Sequence, residues 1–338
     1  MIRIGVIGYG YWGPNLVRNY MANPRTSVVA VSDFSAERLT QVQSLYPAIE
    51  TTTDCGTLIN NPAIDAVAIA TPVASHYELA MAALQAGKHV FVEKPITSSA
   101  EEAKRLIEEA DRRNLTLMVD HTFIYTGAIQ KIHEVVREPS FGDLRYYDST
   151  RVNLGIFQHD VNVLWDLAVH DLAILSHITL ENPVAVSAVG HSHLPGQPAN
   201  IAYLTLFFSN NLIAHVSVNW LSPVKVRRTL ISGSNKMIVY DDLEASEKVK
   251  VYDNGITVAE NADDIRKIKI SYRTGDLWSP KVPSLEALQL EVDHFIDCIE
   301  QNRKPITSGE EGLTIVRILE AADQSMASQG APVDLATI

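Results

Sequence analysis

The sequence predicts an α/β fold in two domains: a doubly wound parallel sheet over residues 1–121, then an α+β domain over residues 122–338 built on a large, mostly antiparallel open sheet. Three observations carry this. Apolar runs and helical stretches alternate with short connections through the first part of the chain, the pattern of a parallel sheet with crossover helices. A glycine-rich turn joins the first run to the first helix. Beyond residue 121 strand-like runs follow one another closely, as in antiparallel sheets.

The early strands are expected at Ile4–Ile7, Val28–Val31, Ala66–Ala70, His89–Val92 and Thr116–Val119. Each is continuously apolar, which suits a strand buried on both faces. Helices are expected at Ser35–Leu45, Tyr77–Gln85 and Ser99–Arg112. A helix at Gly127–Glu138 opens the second part. The strands Leu144–Val152, Val184–Gly190, Ile201–Phe208, Leu212–Trp220, Val226–Gly233 and Met237–Asp241 follow, interrupted by one helix at Val161–His177. Turn signals such as Ser209-Asn210-Asn211 separate them. Two helices come last. Ser284–Gln301 repeats apolar residues at Leu288, Val292, Phe295 and Ile299, and Glu310–Gln329 opens acidic, as helix N-termini prefer. The last helix is placed in the second domain, with packing back onto the first left open.

With 338 residues, the chain is long enough for two cores, and 46% hydrophobic with 20% charged residues is ordinary globular composition. A net charge of -12 argues against nucleic acid or an anionic membrane surface as partner. Cys55 and Cys298 are far apart and no Cys/His cluster occurs, so neither a disulfide framework nor a metal site is expected. His191 and His193 fall in a turn-rich stretch read as a solvated loop. No apolar run reaches the roughly 18 residues of a membrane helix, and no leader pattern precedes the first strand, so the cytoplasm is the expected location.

Gly8-Tyr9-Gly10-Tyr11-Trp12-Gly13 reads G-x-G-x-x-G between a strand and a helix, the context that gives the pattern meaning. Gly8 makes the tight turn, Gly10 lets the backbone approach a pyrophosphate, and Gly13 lets the helix pack on the strand; Tyr11 and Trp12 complete the cofactor-facing turn. Pro14 suits a first helical turn, and the helix N-terminus favours phosphate. Asp33 ends the second strand, where a carboxylate accepts hydrogen bonds from ribose hydroxyls and repels a 2′-phosphate. NAD is therefore expected over NADP, with Arg38 as the residue that softens the preference. A second reading makes Asp33 a cap for the helix Ser35–Leu45. Together these are marks of a Rossmann dinucleotide-binding domain.

Glu93-Lys94-Pro95 follows the apolar run His89–Val92, and Asp166-Leu167-Ala168-Val169-His170-Asp171 comes about 70 residues later. With the glycine fingerprint and Ala70-Thr71-Pro72 after the third strand, these motifs resemble, in order and spacing and across the whole chain, the Gfo/Idh/MocA family of sugar oxidoreductases. The resemblance implies an enzyme that moves a hydride between a nicotinamide and a sugar carbinol or ketone carbon.

Physical chemistry agrees with those roles. Lys94 stands at the C-terminal end of a parallel strand, where an ammonium can stabilise charge developing on the reacting oxygen. Pro95 restricts Lys94 to extended backbone, and relatives can carry a cis peptide there. Asp166 and His170 are four apart and share a helix face. An imidazole titrating near neutrality can take the hydroxyl proton, with Asp166 contacting the substrate hydroxyls. Asp171 is rotated off that face and read as structural. The resemblance puts Thr71 and Pro72 along the nicotinamide ribose and Glu93 in the cofactor site. His76 has two readings, as a cofactor contact or as the opening of a helix. His121 lines the cleft or packs at the domain junction.

Four segments, Gly8–Arg18, Arg151–Gly155, Val163–Leu167 and Asn219–Arg228, resemble the branch of the family acting on nucleotide-linked or amino sugars. That implies a UDP-N-acetylhexosamine or its uronate, reacting at C3. Lys225 and Arg227, on one face if the strand alternates, suit a diphosphate. Arg151 and Asn153 also share a face, and either reach the substrate or pair with acidic neighbours. A sheet with one bare face predicts a homodimer or homotetramer through the C-terminal sheet, as in relatives. The alternatives are a dehydrogenase of a free or phosphorylated sugar or inositol, and a non-catalytic dinucleotide-sensing regulator. The joint presence of Lys94, Asp166 and His170 argues against the regulator.

Overall fold

The computed structural model describes residues 1–155, 161–179, 181–253, 255–258, 270–273 and 275–338. They form two compact units: residues 1–125 with 285–320, and residues 126–284 with 321–338.

The first unit is a parallel sheet of six strands: β1 (Ile2–Ile7), β2 (Thr26–Ser32), β3 (Glu50–Thr52), β4 (Ala66–Ile69), β5 (His89–Glu93) and β6 (Leu117–Asp120). Their order is β3-β2-β1-β4-β5-β6. The reversal at β1/β4 is the switch point where such sheets bind ligands beyond the strands' carboxyl ends. Helices α1 (Gly13–Ala22), α2 (Ala36–Leu45), α3 (Cys55–Ile59), α4 (His76–Gln85) and α5 (Ala100–Arg113) make the crossovers. Strand interiors such as Val6, Val67, Phe91 and Met118 are fully buried, as continuously apolar strands require.

Helix α8 (Ala287–Gln301) falls in this compact unit. The reason is its apolar stripe, with Leu288, Val292, Phe295 and Ile296 buried. Phe295 meets Phe91 edge-on with ring centroids 5.5 Å apart. Polar contacts fix the register: Arg18 donates to Glu286, and Arg25 to Asp293 and Asp297. Beyond β6, the Val119 N–H donates to the Thr307 carbonyl. Helix α9 (Gly309–Ala327) gives residues 309–320 to this unit and its end to the other.

The second unit carries α6 (Gly127–Val136), then β7 (Leu144–Leu154), α7 (Val169–Ile178), β8 (Ala185–His191), β9 (Ile201–Phe207), β10 (Ile213–Asn219), β11 (Leu221–Gly233), β12 (Met237–Asp241) and β13 (Val249–Tyr252). A separate two-stranded sheet pairs β14 (Gly255–Val258) with β15 (Ile270–Arg273); β16 (Leu277–Trp278) and β17 (Val333–Asp334) are short edges of the main sheet. That sheet has nine strands in the order β16-β13-β12-β11-β7-β10-β9-β8-β17. It is antiparallel except that β10 runs parallel to β7. One face is apolar and buried, with Val186, Leu204, Leu206, Val216 and Val218 among its residues. The α7 residues Leu172, Ile174 and Leu175 are also buried.

Candidate active site

The first unit builds a dinucleotide cradle. Gly8 has φ +95°, and a β-carbon there would meet the Ala70 carbonyl oxygen at 2.5 Å. A β-carbon on Gly13 would meet the Gly8 carbonyl oxygen at 2.1 Å, so α1 can start this close to the loop only with glycine. At Gly10 the nearest atom is Arg38 Nη1, 3.7 Å from the added carbon, which leaves the backbone open to a diphosphate. These three positions fit a dinucleotide pyrophosphate lying over the N-terminus of α1.

Asp33 is buried, and both of its oxygens are held. The Tyr9 N–H donates to Oδ2 at 2.7 Å, the Ser35 N–H donates to Oδ1 at 2.8 Å, and Arg38 Nη1 lies 3.3 Å from Oδ2. The cap of α2 is Ser35, which accepts from the Arg38 N–H, so Asp33 is not the helix cap. Instead it ties the second strand to the glycine loop, at the strand end where such folds use a carboxylate to accept from a ribose. Titration of the protein with both reduced cofactors should show NADH bound at least about tenfold tighter than NADPH, and Asp33→Ser should narrow the gap. Tighter NADPH binding by the wild-type protein would refute this role.

Lys94 follows β5, half-buried, and its peptide bond to Pro95 is cis. Thr71 and Pro72 follow β4. His76 is buried at the start of α4, with Nδ1 2.8 Å from the Pro95 carbonyl and Nε2 2.8 Å from the Thr71 carbonyl. Burial lowers its pKa, helped by the Lys94 charge. A neutral ring donates to only one of these oxygens. Its geometry joins the two strand ends, so it opens the helix and braces the site. His121 is buried too, and both of its ring nitrogens lack hydrogen-bond partners among the described residues. Burial, then the Lys94 charge, pushes it down to about 3.

In the second unit, Asp166 lies on a π-helical turn, Leu164–Ala168, and His170 on the first turn of α7. Such turns recur at functional sites, and the wider turn keeps residues four apart on one side. Asp323 of α9 anchors the turn by accepting from Asn162 Nδ2 at 2.7 Å and from Trp165 Nε1 at 2.8 Å. Asp166 itself accepts from Trp220 Nε1 at 2.9 Å. Trp220 is buried and packed against Gly155, where a β-carbon would strike its ring at 2.5 Å. Sequence reasoning quoted Trp220 only inside a motif and missed this partnership. A buried indole needs an acceptor, and that was the available signal.

The remaining sequence candidates divide. Arg151 is buried and ion-paired with Asp171, Nε to Oδ2 at 2.6 Å. This is the pairing with an acidic neighbour that one of its two readings expects. Ser149 also donates to Asp171 (2.7 Å), and Tyr147 Oη donates to the Asp171 carbonyl (3.1 Å). Asn153 is half-buried further along β7. Lys225 is exposed, and the β11–β7 register breaks between Leu221 and Val226, so simple alternation does not place it on one face with Arg227. Arg227 Nη1 lies 3.3 Å from Asp242, which also takes Lys248 and Tyr240 Oη.

A glycine cradle at the switch point of a parallel sheet, with a lysine at a neighbouring strand end, defines a nicotinamide-dependent oxidoreductase. The chain belongs to the Gfo/Idh/MocA family: residues 2–121 match its NAD-binding Rossmann fold and residues 157–335 its C-terminal alpha/beta domain. Among its relatives is UDP-N-acetylglucosamine 3-dehydrogenase of Acidithiobacillus ferrooxidans, 28% identical with 96% of each chain covered. The solved structure of that protein superposes with a TM-score of 0.80 at 27% identity, over 97% of each chain. Another relative is the NADP(+) scyllo-inositol 2-dehydrogenase of Bacillus subtilis, 27% identical over 96% of this chain and 93% of that one. An oxidoreductase of Agrobacterium radiobacter in complex with NAD+, L-tartaric acid and magnesium shares the fold, with a TM-score of 0.81 at 19% identity over 99% of each chain.

Proposed function

We propose that the protein transfers a hydride between NAD and C3 of a UDP-linked N-acetylhexosamine or its uronate. The observation that carries the substrate class is the Trp220–Asp166 hydrogen bond. It joins the Asp-x3-His element of the family to the Asn219–Arg228 segment that resembles the nucleotide-sugar branch. The full-length similarity to a UDP-N-acetylglucosamine 3-dehydrogenase supports the same reading.

The bound nicotinamide supplies the hydride donor or acceptor. In this proposal Lys94 donates a hydrogen bond to the reacting oxygen and stabilises its charge. His170 takes or returns the hydroxyl proton. Asp166, oriented by the Trp220 indole, accepts from a neighbouring sugar hydroxyl. Lys225, exposed beside the irregular stretch of β11, meets the diphosphate; Arg227 contributes through its hold on Asp242 at the β12 end. A diphosphate adds remote binding energy that positions the sugar. The exposed Val189, Tyr203 and Ile213, on one face of β8, β9 and β10, are the proposed surface for self-association.

The test is a panel of UDP-sugars and free polyols with NAD and NADP, followed by nicotinamide absorbance. UDP-N-acetylhexosamines or their uronates should be turned over best. Better turnover of myo-inositol or free glucose than of every UDP-sugar would reject the nucleotide-sugar reading and favour the polyol dehydrogenases among the relatives.

A further inference from the structure

Under the Lys94 strand end the first unit buries two carboxyl groups side by side. Asp120 ends β6 opposite Glu93 of β5 and is 2% exposed; Glu291 of α8 is fully buried. Each Asp120 oxygen accepts a hydrogen bond. Trp12 Nε1, from the glycine loop, donates to Oδ2 at 2.5 Å, and Thr122 Oγ1 donates to Oδ1 at 2.5 Å. Neither Glu291 oxygen has a hydrogen-bond partner of good geometry among the described residues, and the nearby buried Tyr20 hydroxyl has none either.

Two adjoining carboxylates do not both ionise in a buried site. The donors decide which keeps the charge. One N–H and one O–H donate to Asp120 with good geometry, and no donor so placed faces Glu291, so Glu291 holds the proton. The electrostatics agree: burial, then the Asp120 charge, holds Glu291 well above the usual carboxylate range. Burial raises Asp120 too, and it stays above its ordinary value, but Thr122, Trp12, Glu291 and the Lys94 charge offset part of that rise. The other titratable groups facing the pair are Glu93, Tyr20 and Tyr125, while His121, next to Asp120 in sequence, feels the Lys94 charge.

We propose that Asp120 is a positioning residue: one carboxylate, kept singly charged by a neutral Glu291 behind it, fixes the pyrophosphate loop through Trp12 and serves as counter-charge to Lys94. The cofactor cradle and the lysine are thereby set by the same group. This rests on the reading of Lys94 as the residue that assists hydride transfer.

The experiment compares Asp120→Asn, Glu291→Gln and Trp12→Phe in the full-length protein. Two readouts are taken: NADH affinity by fluorescence titration, and the ionisation of Lys94 by NMR of protein labelled with 15N at lysine. Asp120→Asn should weaken NADH binding about tenfold, the scale of one hydrogen bond to a charged acceptor, and lower the Lys94 titration midpoint by about one pH unit. Glu291→Gln, a neutral near-isostere, should leave affinity within about twofold and the midpoint in place. Trp12→Phe should weaken NADH without moving the midpoint, and it tests the loop half of the link even if Asp120→Asn folds poorly. The proposal is overturned if Asp120→Asn leaves both readouts unchanged, if Glu291→Gln moves them as far as Asp120→Asn does, or if Trp12→Phe leaves NADH affinity unchanged. Neither readout needs a sugar, so an error in the catalytic role of Lys94 would show in the turnover of Lys94→Ala and not here.

Discussion

Lys94→Ala should lower turnover by at least about 10² while NADH affinity stays within about tenfold. Lys94 follows the fifth strand and not the glycine loop, so its loss leaves the pyrophosphate cradle of Gly8, Gly10 and Gly13 intact. In the proposed reaction what is lost is a cation that meets oxygen charge present mainly in the transition state, and such an interaction acts on turnover more than on binding. Lys94→Arg should not rescue it, because a planar guanidinium on a longer stem does not place a point charge at the same position. Steady-state kinetics on the best substrate of the panel, beside an NADH titration, separate the two effects. Near-normal turnover in Lys94→Ala would remove Lys94 from the chemistry.

Asp171→Ala should destabilise the second unit by about 3–5 kcal/mol, because it strands the Arg151 guanidinium without its counter-ion. Arg151 and Asp171 side chains are 3% and 2% exposed, so water does not replace the lost partner. Ser149, which donates to the same carboxylate, loses its acceptor as well. The apolar double replacement Arg151→Met with Asp171→Leu should recover most of the loss, since a packed apolar pair removes both desolvation costs. The protein has four tryptophans, and only Trp12 lies in the first unit. In a Trp12→Phe background, urea unfolding followed by tryptophan fluorescence therefore reports the second unit alone. Equal stability of Asp171→Ala and its parent would contradict the account.

The sequence carried most of the first unit because its strands are buried on both faces and hence continuously apolar. β3 was missed: Glu50–Thr52 is a short polar edge strand with no apolar signal. The destination of α8 was also illegible. Its periodicity showed a stripe around Val292 and Phe295, but periodicity does not say which surface a stripe covers. The placement of candidate site residues was legible where local spacing sets it, as for Gly8, Gly10 and Gly13 in a turn or Asp166 and His170 on adjoining turns. It was illegible where the partner is distant in sequence. Trp220 reaches Asp166 from another strand, and Glu291 reaches Asp120 from a helix that follows residues 126–284. Arg151 shows the limit of alternation, which gives a face of the sheet without saying whether that face holds substrate or a buried counter-ion. Lys225 shows another, since an irregular stretch of strand erases alternation altogether.

The first unit is written in two pieces, with residues 126–284 between them. During synthesis the nascent chain exposes the Phe91 and Met118 region long before α8 and the segment around Thr307 emerge to cover it. The cofactor-binding half therefore completes only after residues 126–284 have been made, unlike the usual order in which N-terminal domains finish first. Expression of residues 1–125 alone should yield an aggregation-prone fragment, whereas a chain joining residue 125 directly to residue 285 through a short linker restores the missing cover. The split also makes the two halves inseparable by simple gene truncation, so shuffling this cofactor module onto another partner requires an insertion between its two pieces instead of a fusion at one end.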